Sequence, residues 1–332
     1  MRAQEALRGA ALAKYPSIDL LRGVMILLVM AGHAMELAHR DALAMWIGAG
    51  FRMPLMVGLS GYLLNVARAR SAPMGDFLGR HGERMLLPWL VALAVYHVAG
   101  GGGLGWSLPL DMALRPPFHL WYIPVLFALI LMTRLLSLRP APLLAIVAPF
   151  ALATMYALGV DHRPLGAGPL APDSRYLLYP VFFVFGMLIA ERGMPRRLIW
   201  APLVLAGLGA LWWASLHGVP AGPAHVPARL LLCLGLIALL PAFAGLKLRL
   251  APINQVGRES LFFYLWHPLL MGLAMACGAD PLTALGVAAL LLYAVSLLPG
   301  DGLLPRLLKG RIRPRVTQPA APEAPSGALP AY

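Results

Sequence analysis

Charge is what this sequence has least of. Only 12% of its 332 residues are Asp, Glu, Lys or Arg, and 60% are apolar; a soluble domain carries roughly 25% charged residues. So little polar surface cannot coat a water-facing globule of this size, which leaves the bilayer as the natural solvent. Acidic residues are the scarcer sign, 14 against 27 Lys and Arg, giving a formal net charge of +13. Cysteine is nearly absent. Cys233 and Cys277 sit in apolar runs and read as small core residues, so a disulfide framework and a cysteine metal site are both excluded. No Cys/His spacing suits zinc, and no Gly-x-Ser-x-Gly elbow supplies a serine nucleophile. A transmembrane barrel is excluded as well, because the apolar runs are long and do not alternate.

What is present instead is apolar length. Runs recur at about 17–39, 45–65, 85–104, 119–138, 142–160, 175–192, 198–216, 227–246, 259–277 and 281–299. Each is roughly 18–23 residues, enough for a helix to cross about 30 Å of hydrocarbon at 1.5 Å per residue. The expected fold is an all-α polytopic membrane bundle of about ten transmembrane helices. Arg2, Arg8 and Lys14 before the first run, with Ala42-Leu43-Ala44 after it, imitate a secretory signal. A run that keeps Arg22, His33 and Glu36 is expected to remain as a span.

The basic charge has two possible meanings, nucleic-acid binding or membrane topology, and its distribution decides between them. With the N-terminus cytoplasmic and about ten spans, roughly 20 Lys and Arg fall inside and about 4 outside (Arg40, Arg115, Arg163 and Arg175). That bias explains the charge, requires no nucleic acid, and places both termini in the cytoplasm. The expected organisation is a cytoplasmic segment at 1–14, a membrane domain at 15–300, and a tail at 301–332 that is basic and then Pro/Ala-rich and partly disordered.

Ionisable side chains inside spans are costly and mark functional positions. The first span carries Asp19 and Arg22, one turn apart near the cytoplasmic end, and His33 and Glu36, one turn apart near the other. Glu36 can orient the His33 imidazole and favour its charged form. Arg22 and His33 are eleven residues apart, which puts them on one helix face about 16 Å apart along the axis. That is comparable to an extended pantetheine arm, so one stripe can hold both ends of an acyl-CoA, Arg22 at phosphate and His33 at the thioester. For Arg22 alone the bland reading, a snorkelling residue paired with Asp19, has equal weight. In the second span Arg52 is expected at the depth of His33, where a guanidinium can stabilise an oxyanion or bind an acidic acceptor. Ser60-Gly61 reads more readily as a small-residue helix contact than as a nucleophile. His119-Leu120-Trp121-Tyr122 opens the fourth span; the aromatics fit an interfacial belt. In the ninth, His267 precedes a kinking Pro268.

Taken in order, these pieces resemble the acyltransferase-3 family of integral membrane acyltransferases. The resemblance rests on Asp19-x-x-Arg22-Gly23 with His33 following, Met53-Pro54-Leu55 to Ser60-Gly61, Arg84 to Pro88, His119-Leu120-Trp121, and Ser260 to His267-Pro268. The second-span wording is similar to the sugar O-acetylase branch. The resemblance implies transfer of an acyl group, usually acetyl, from cytoplasmic acyl-CoA to a hydroxyl of a sugar, polysaccharide or lipid-linked glycan. It implies His33 as the essential histidine and Arg22 as its basic partner; Glu36, facing the imidazolium, and Arg52, facing the oxyanion, complete the catalytic set expected from the residues themselves. Asp19, Arg22, Arg80 and Arg84 are the expected acyl-CoA residues, and Ser60, His119, Trp121 and His267 the expected acceptor residues. No metal is expected, and the expected location is the inner (cytoplasmic) membrane. Related sugar O-acetylases often carry histidine where this chain has Arg52, which leaves acceptor specificity open. Two routes are open, direct attack with His33 as general base and transfer through an acyl-His33 intermediate. A glycan or lipid flippase is the competing class, though paired interrupted spans in two related halves are not evident.

Overall fold

The computed structural model describes residues 16–40, 42–101, 108–115, 119–161, 163–166, 171–298 and 302–310. The ends read as a cytoplasmic segment and a disordered tail lie outside the described residues, apart from the short helix near 303–309. Among the described residues the chain is helical, with one isolated β-bridge between Pro164 and Asp173 and no strand.

Each apolar run of the sequence coincides with helix. In chain order these are α1 (Pro16–Leu37), α2 (Leu43–Leu63), α3 (Val66–Ser71), α4 (Met74–His81), a π-helical turn Gly82–Leu86 leading into α5 (Leu87–Ala99), α6 (Leu108–Leu114), α7 (Tyr122–Leu136), α8 (Pro140–Leu158), α9 (Arg175–Leu178), α10 (Pro180–Arg192), α11 (Trp200–Ser215), α12 (His225–Ala238), α13 (Leu240–Ala244), α14 (Ala251–Arg258), α15 (Ser260–Ala276), α16 (Pro281–Ser296) and α17 (Leu303–Lys309). Among the described residues, four stretches are long and apolar enough to cross a membrane: Pro16–Leu37, Leu43–Leu63, Pro140–Leu158 and His225–Ala244. Tyr122–Leu136, Trp200–Ser215, Ser260–Ala276 and Pro281–Ser296 are apolar but shorter. The run expected as one helix over 175–192 is two, because Pro180 lacks the N–H that would continue α9.

The periphery shows what solvent the fold is built for. Leu211 on α11 is 71% exposed, Leu290 on α16 is 72% and Phe150 on α8 is 63%. Rows of aliphatic side chains pointing outward are stable against lipid and costly against water. The chain is a membrane protein. Its interior is packed through small residues, as expected where lipid gives helices no hydrophobic reason to associate. A Cβ at Gly186 of α10 would strike the Gly58 carbonyl of α2, and one at Gly61 of α2 would strike that of Phe183, so the two helices meet backbone to backbone. Trp46 of α2 and Trp213 of α11 stack at 4.8 Å, and each indole N–H donates to the other's backbone carbonyl, at 2.9 and 3.0 Å. This reciprocal lock fixes α2, and with it Arg52, against the outer helices. Cys233 is buried as expected, but Cys277 is exposed because it falls at the C-terminal end of α15.

Candidate active site

Val29, His33, Glu36 and Leu37 recur at helical spacing on one face of α1 and form one wall of a cavity of about 760 Å³. Arg52 and Met53 of α2, Tyr96 of α5, His119 and Trp121 before α7, and Tyr264 and Pro268 of α15 complete the wall on that side. The volume is within the 300–1,000 Å³ common for small-molecule sites.

Within this wall, His33 Nδ1 lies 3.2 Å from Glu36 Oε2. A carboxylate accepts only, so Nδ1 carries the proton and Nε2 is left with the lone pair. The His33 side chain is 30% exposed and Glu36 66%, so the pair stands at the open side of the cavity. Arg52 is buried and donates from Nη1 to the Leu28 carbonyl at 2.7 Å. It reaches that carbonyl across Gly32, where a Cβ would fall on the guanidinium itself. The Gly32-His33 pair in the sequence is thus one device: the glycine admits Arg52 beside the histidine.

The structure joins three histidines that are far apart in sequence. The His33 ring is 5.3 Å from that of His267 and 6.0 Å from that of His119, and the latter two are 5.5 Å apart. His267, read from sequence as preceding a kinking Pro268, thus comes beside His33 without itself lining the cavity. It is fully buried, with Nδ1 donating to the Phe263 carbonyl at 2.9 Å. Pro268 explains a second feature of α15. The Tyr96 hydroxyl donates to the Leu265 carbonyl and accepts from the Leu269 N–H, both at 2.9 Å, so a side chain occupies the place of one helical hydrogen bond. His119 Nε2 approaches the same Leu265 carbonyl at 3.4 Å. No group of three or more His, Cys, Asp or Glu among the described residues is arranged to hold a metal.

The residues expected at acyl-CoA and Ser60 do not line this cavity. Arg22 lies in the electrostatic field of Arg84, Asp19 and the Tyr122 hydroxyl, while Arg80 and Arg84 flank His81. Burial, with Arg84 and Arg80 adding to it, pushes the His81 imidazole below its ordinary range. The Ser60 hydroxyl donates to the Met56 carbonyl at 2.9 Å and meets the Tyr122 hydroxyl at 2.8 Å. Tyr122 packs on Tyr264, and Tyr264 on His119, at 5.3 and 5.5 Å. A line of hydroxyl and aromatic groups therefore runs from Ser60 through Tyr122 and Tyr264 to His119.

Sequence reasoning missed Arg175, Arg229, Tyr179 and Asp161, which also line the cavity. Arg175 was counted only as a loop charge. Arg229 lies inside the eighth apolar run, and the intramembrane-charge criterion that singled out Arg22 and Arg52 applies to it equally.

The family model for the acyltransferase-3 domain, described as an acyltransferase domain, matches residues 15–299. No curated protein and no solved structure matches the chain. On that family match, which leaves out only the two ends, the chain belongs to the acyltransferase-3 family of membrane acyltransferases.

Proposed function

We propose that this acyltransferase moves an acyl group, acetyl in the simplest case, from cytoplasmic acyl-CoA to a hydroxyl of a sugar, polysaccharide or lipid-linked glycan. One observation carries the reading. His33, held by Glu36 through Nδ1 so that Nε2 keeps the lone pair, and the buried Arg52 line one cavity of about 760 Å³. A base and a cation converging on one space suit attack by a neutral hydroxyl on a carbonyl.

In this reading residues 15–300 form the membrane domain and cross the bilayer about ten times in the inner (cytoplasmic) membrane. The N-terminus and the basic tail are cytoplasmic, which agrees with the excess of Lys and Arg on one set of loops. Arg22, Arg84 and Arg80 then face the cytoplasm and attract the CoA phosphates, with Asp19 orienting Arg22. The His33 cavity opens toward the other side, and the pantetheine arm follows the α1 stripe from Arg22 to His33.

As the acceptor oxygen bonds to the thioester carbonyl carbon, His33 Nε2 takes the hydroxyl proton. Glu36 faces the imidazolium so formed, and Arg52 faces the oxyanion. Collapse breaks the carbon–sulfur bond, and the CoA thiolate recovers the proton from His33. The buried His119 and His267 rings fix the plane of His33, and Trp121 offers an apolar face to a sugar ring.

The test is acetyl-CoA turnover by membranes carrying wild-type protein or His33→Ala at matched levels, with an extract of the host's glycans as acceptor. Labelled glycan with wild type and none with the variant is the expected result. Equal labelling by both would remove His33 from the mechanism.

A further inference from the structure

The cavity wall facing away from α1 holds charge that the transfer mechanism does not use. Arg229 of α12 is 8% exposed. Its Nε donates to the Gly50 carbonyl at 3.0 Å and its Nη1 to the Val160 carbonyl. The Tyr179 hydroxyl is a further partner. All of these are neutral dipoles, and no carboxylate among the described residues forms an ion pair with Arg229. Arg175 is 4% exposed. Its Nε lies 3.0 Å from Asp173 Oδ1 and its guanidinium covers the Trp121 ring at 4.7 Å, but its Nη1 has no hydrogen-bond partner among the described residues. The acidic residues that line the cavity, Glu36 and Asp161, are both exposed. Water therefore screens the negative charges of the cavity, and the positive ones lie in its dry part.

A guanidinium buried in a membrane protein without a counterion is costly to hold there. Dipoles lower that cost but leave the charge in place, so the site is set up to gain strongly from an incoming anion. From this we infer that the acceptor carries an anionic group, a carboxylate or a phosphate, which seats against Arg229 and Arg175 while its hydroxyl is presented to His33. The inference rests on the transferase reading for the word acceptor; the anion site itself does not depend on it. Arg52 is not the seat because it adjoins the Glu36 carboxylate and is already assigned to the oxyanion. Arginine is suited to the role, since its planar fork accepts carboxylate or phosphate in two parallel hydrogen bonds.

The experiment is isothermal titration of the purified full-length protein, in lipid nanodiscs, with glucuronate, glucose 1-phosphate and glucose. The three share a ring and differ in charge. At least one anionic sugar is expected to bind about tenfold or more tightly than glucose, and which of them does so separates a carboxylate from a phosphate seat. In Arg229→Gln that preference is expected to fall to within about twofold; Arg229→Lys, which keeps the charge, should restore part of it, and melting curves identify any variant that fails to fold. His33→Ala should keep the preference whole. Equal binding of all three sugars, no binding of any, or a preference that survives Arg229→Gln overturns the inference. Anion preference in wild type with no acyl transfer to any anionic sugar would leave the site intact and count against the transferase reading instead.

Discussion

A methyl group added at Gly32 tests the link between α1 and α2 without substituting either proposed catalytic side chain. The Cβ of Gly32→Ala would overlap the Arg52 guanidinium, so Arg52 must leave its bond to the Leu28 carbonyl, 2.7 Å long. A hydrogen bond to a charged group is worth about 1.5–3 kcal/mol, which bounds the cost of displacing it. If Arg52 also faces the oxyanion, the displaced donor is lost to the transition state, and removing one such donor lowers kcat by about 10²–10³. The backbone cost is small and of opposite sign, because alanine favours helix over glycine by about 1 kcal/mol. The expected result is a fall in kcat of about a hundredfold, with the KM for acetyl-CoA unchanged and normal protein levels. The decisive control is Gly32→Ala in an Arg52→Gln background, where the guanidinium is already gone. There the added methyl should cost less than about threefold, since two changes acting through one group do not add. A kcat within twofold of wild type for Gly32→Ala alone, or full additivity with Arg52→Gln, refutes the reasoning.

His33→Ala should reduce transfer by about 10²–10⁴, the usual contribution of a positioned general base. Glu36→Gln should reduce it by no more than about fivefold, because an exposed ion pair is worth at most about 1 kcal/mol; rates of acetyl transfer at matched protein level check both. Trp213→Phe keeps the stacked ring but leaves the Trp46 carbonyl without its donor, and is expected to cost about 1–3 kcal/mol, read as a lower melting temperature in detergent. In intact cells, Cys277 should react with a membrane-impermeant maleimide from the outside while the buried Cys233 does not. Labelling of Cys277 only after permeabilisation would reverse the proposed topology.

Much of this site was legible in the sequence, because a membrane makes polar residues conspicuous. His33, Glu36 and Arg52 stood out against apolar surroundings, and helical spacing alone placed Arg22 and His33 on one face and Glu36 one turn from His33. What spacing cannot give is which helices are neighbours. That His119 and His267 close on His33 depends on the crossing of α1, α7 and α15, and that packing is set by small-residue contacts spread over the chain. The split between α9 and α10 was visible in principle, since Pro180 has no N–H to donate. Arg175 was hidden for a different reason: counted by topology, it belonged to a loop, and only the fold turns that loop inward against Trp121.

The same contrast explains why the two ends of the Arg22–His33 stripe have different surroundings. Eleven residues of α1 separate them, and the helix fixes that spacing whatever packs around it. The neighbours are set independently at each end. Near Arg22 stand further cations, Arg84 and Arg258, the latter facing Asp19. Near His33 stand two buried imidazoles and a guanidinium threaded past a glycine. On the proposed reading a single helix thus carries the phosphate position, Arg22, and the proton-transfer position, His33, at a constant separation. The other helices can supply a different acceptor wall without altering it. In the same reading Arg175 and Arg229, supplied by α9 and α12 and not by α1, belong to the acceptor wall. Substitutions there are expected to change which acceptor is used, whereas substitutions along α1 should stop transfer to every acceptor.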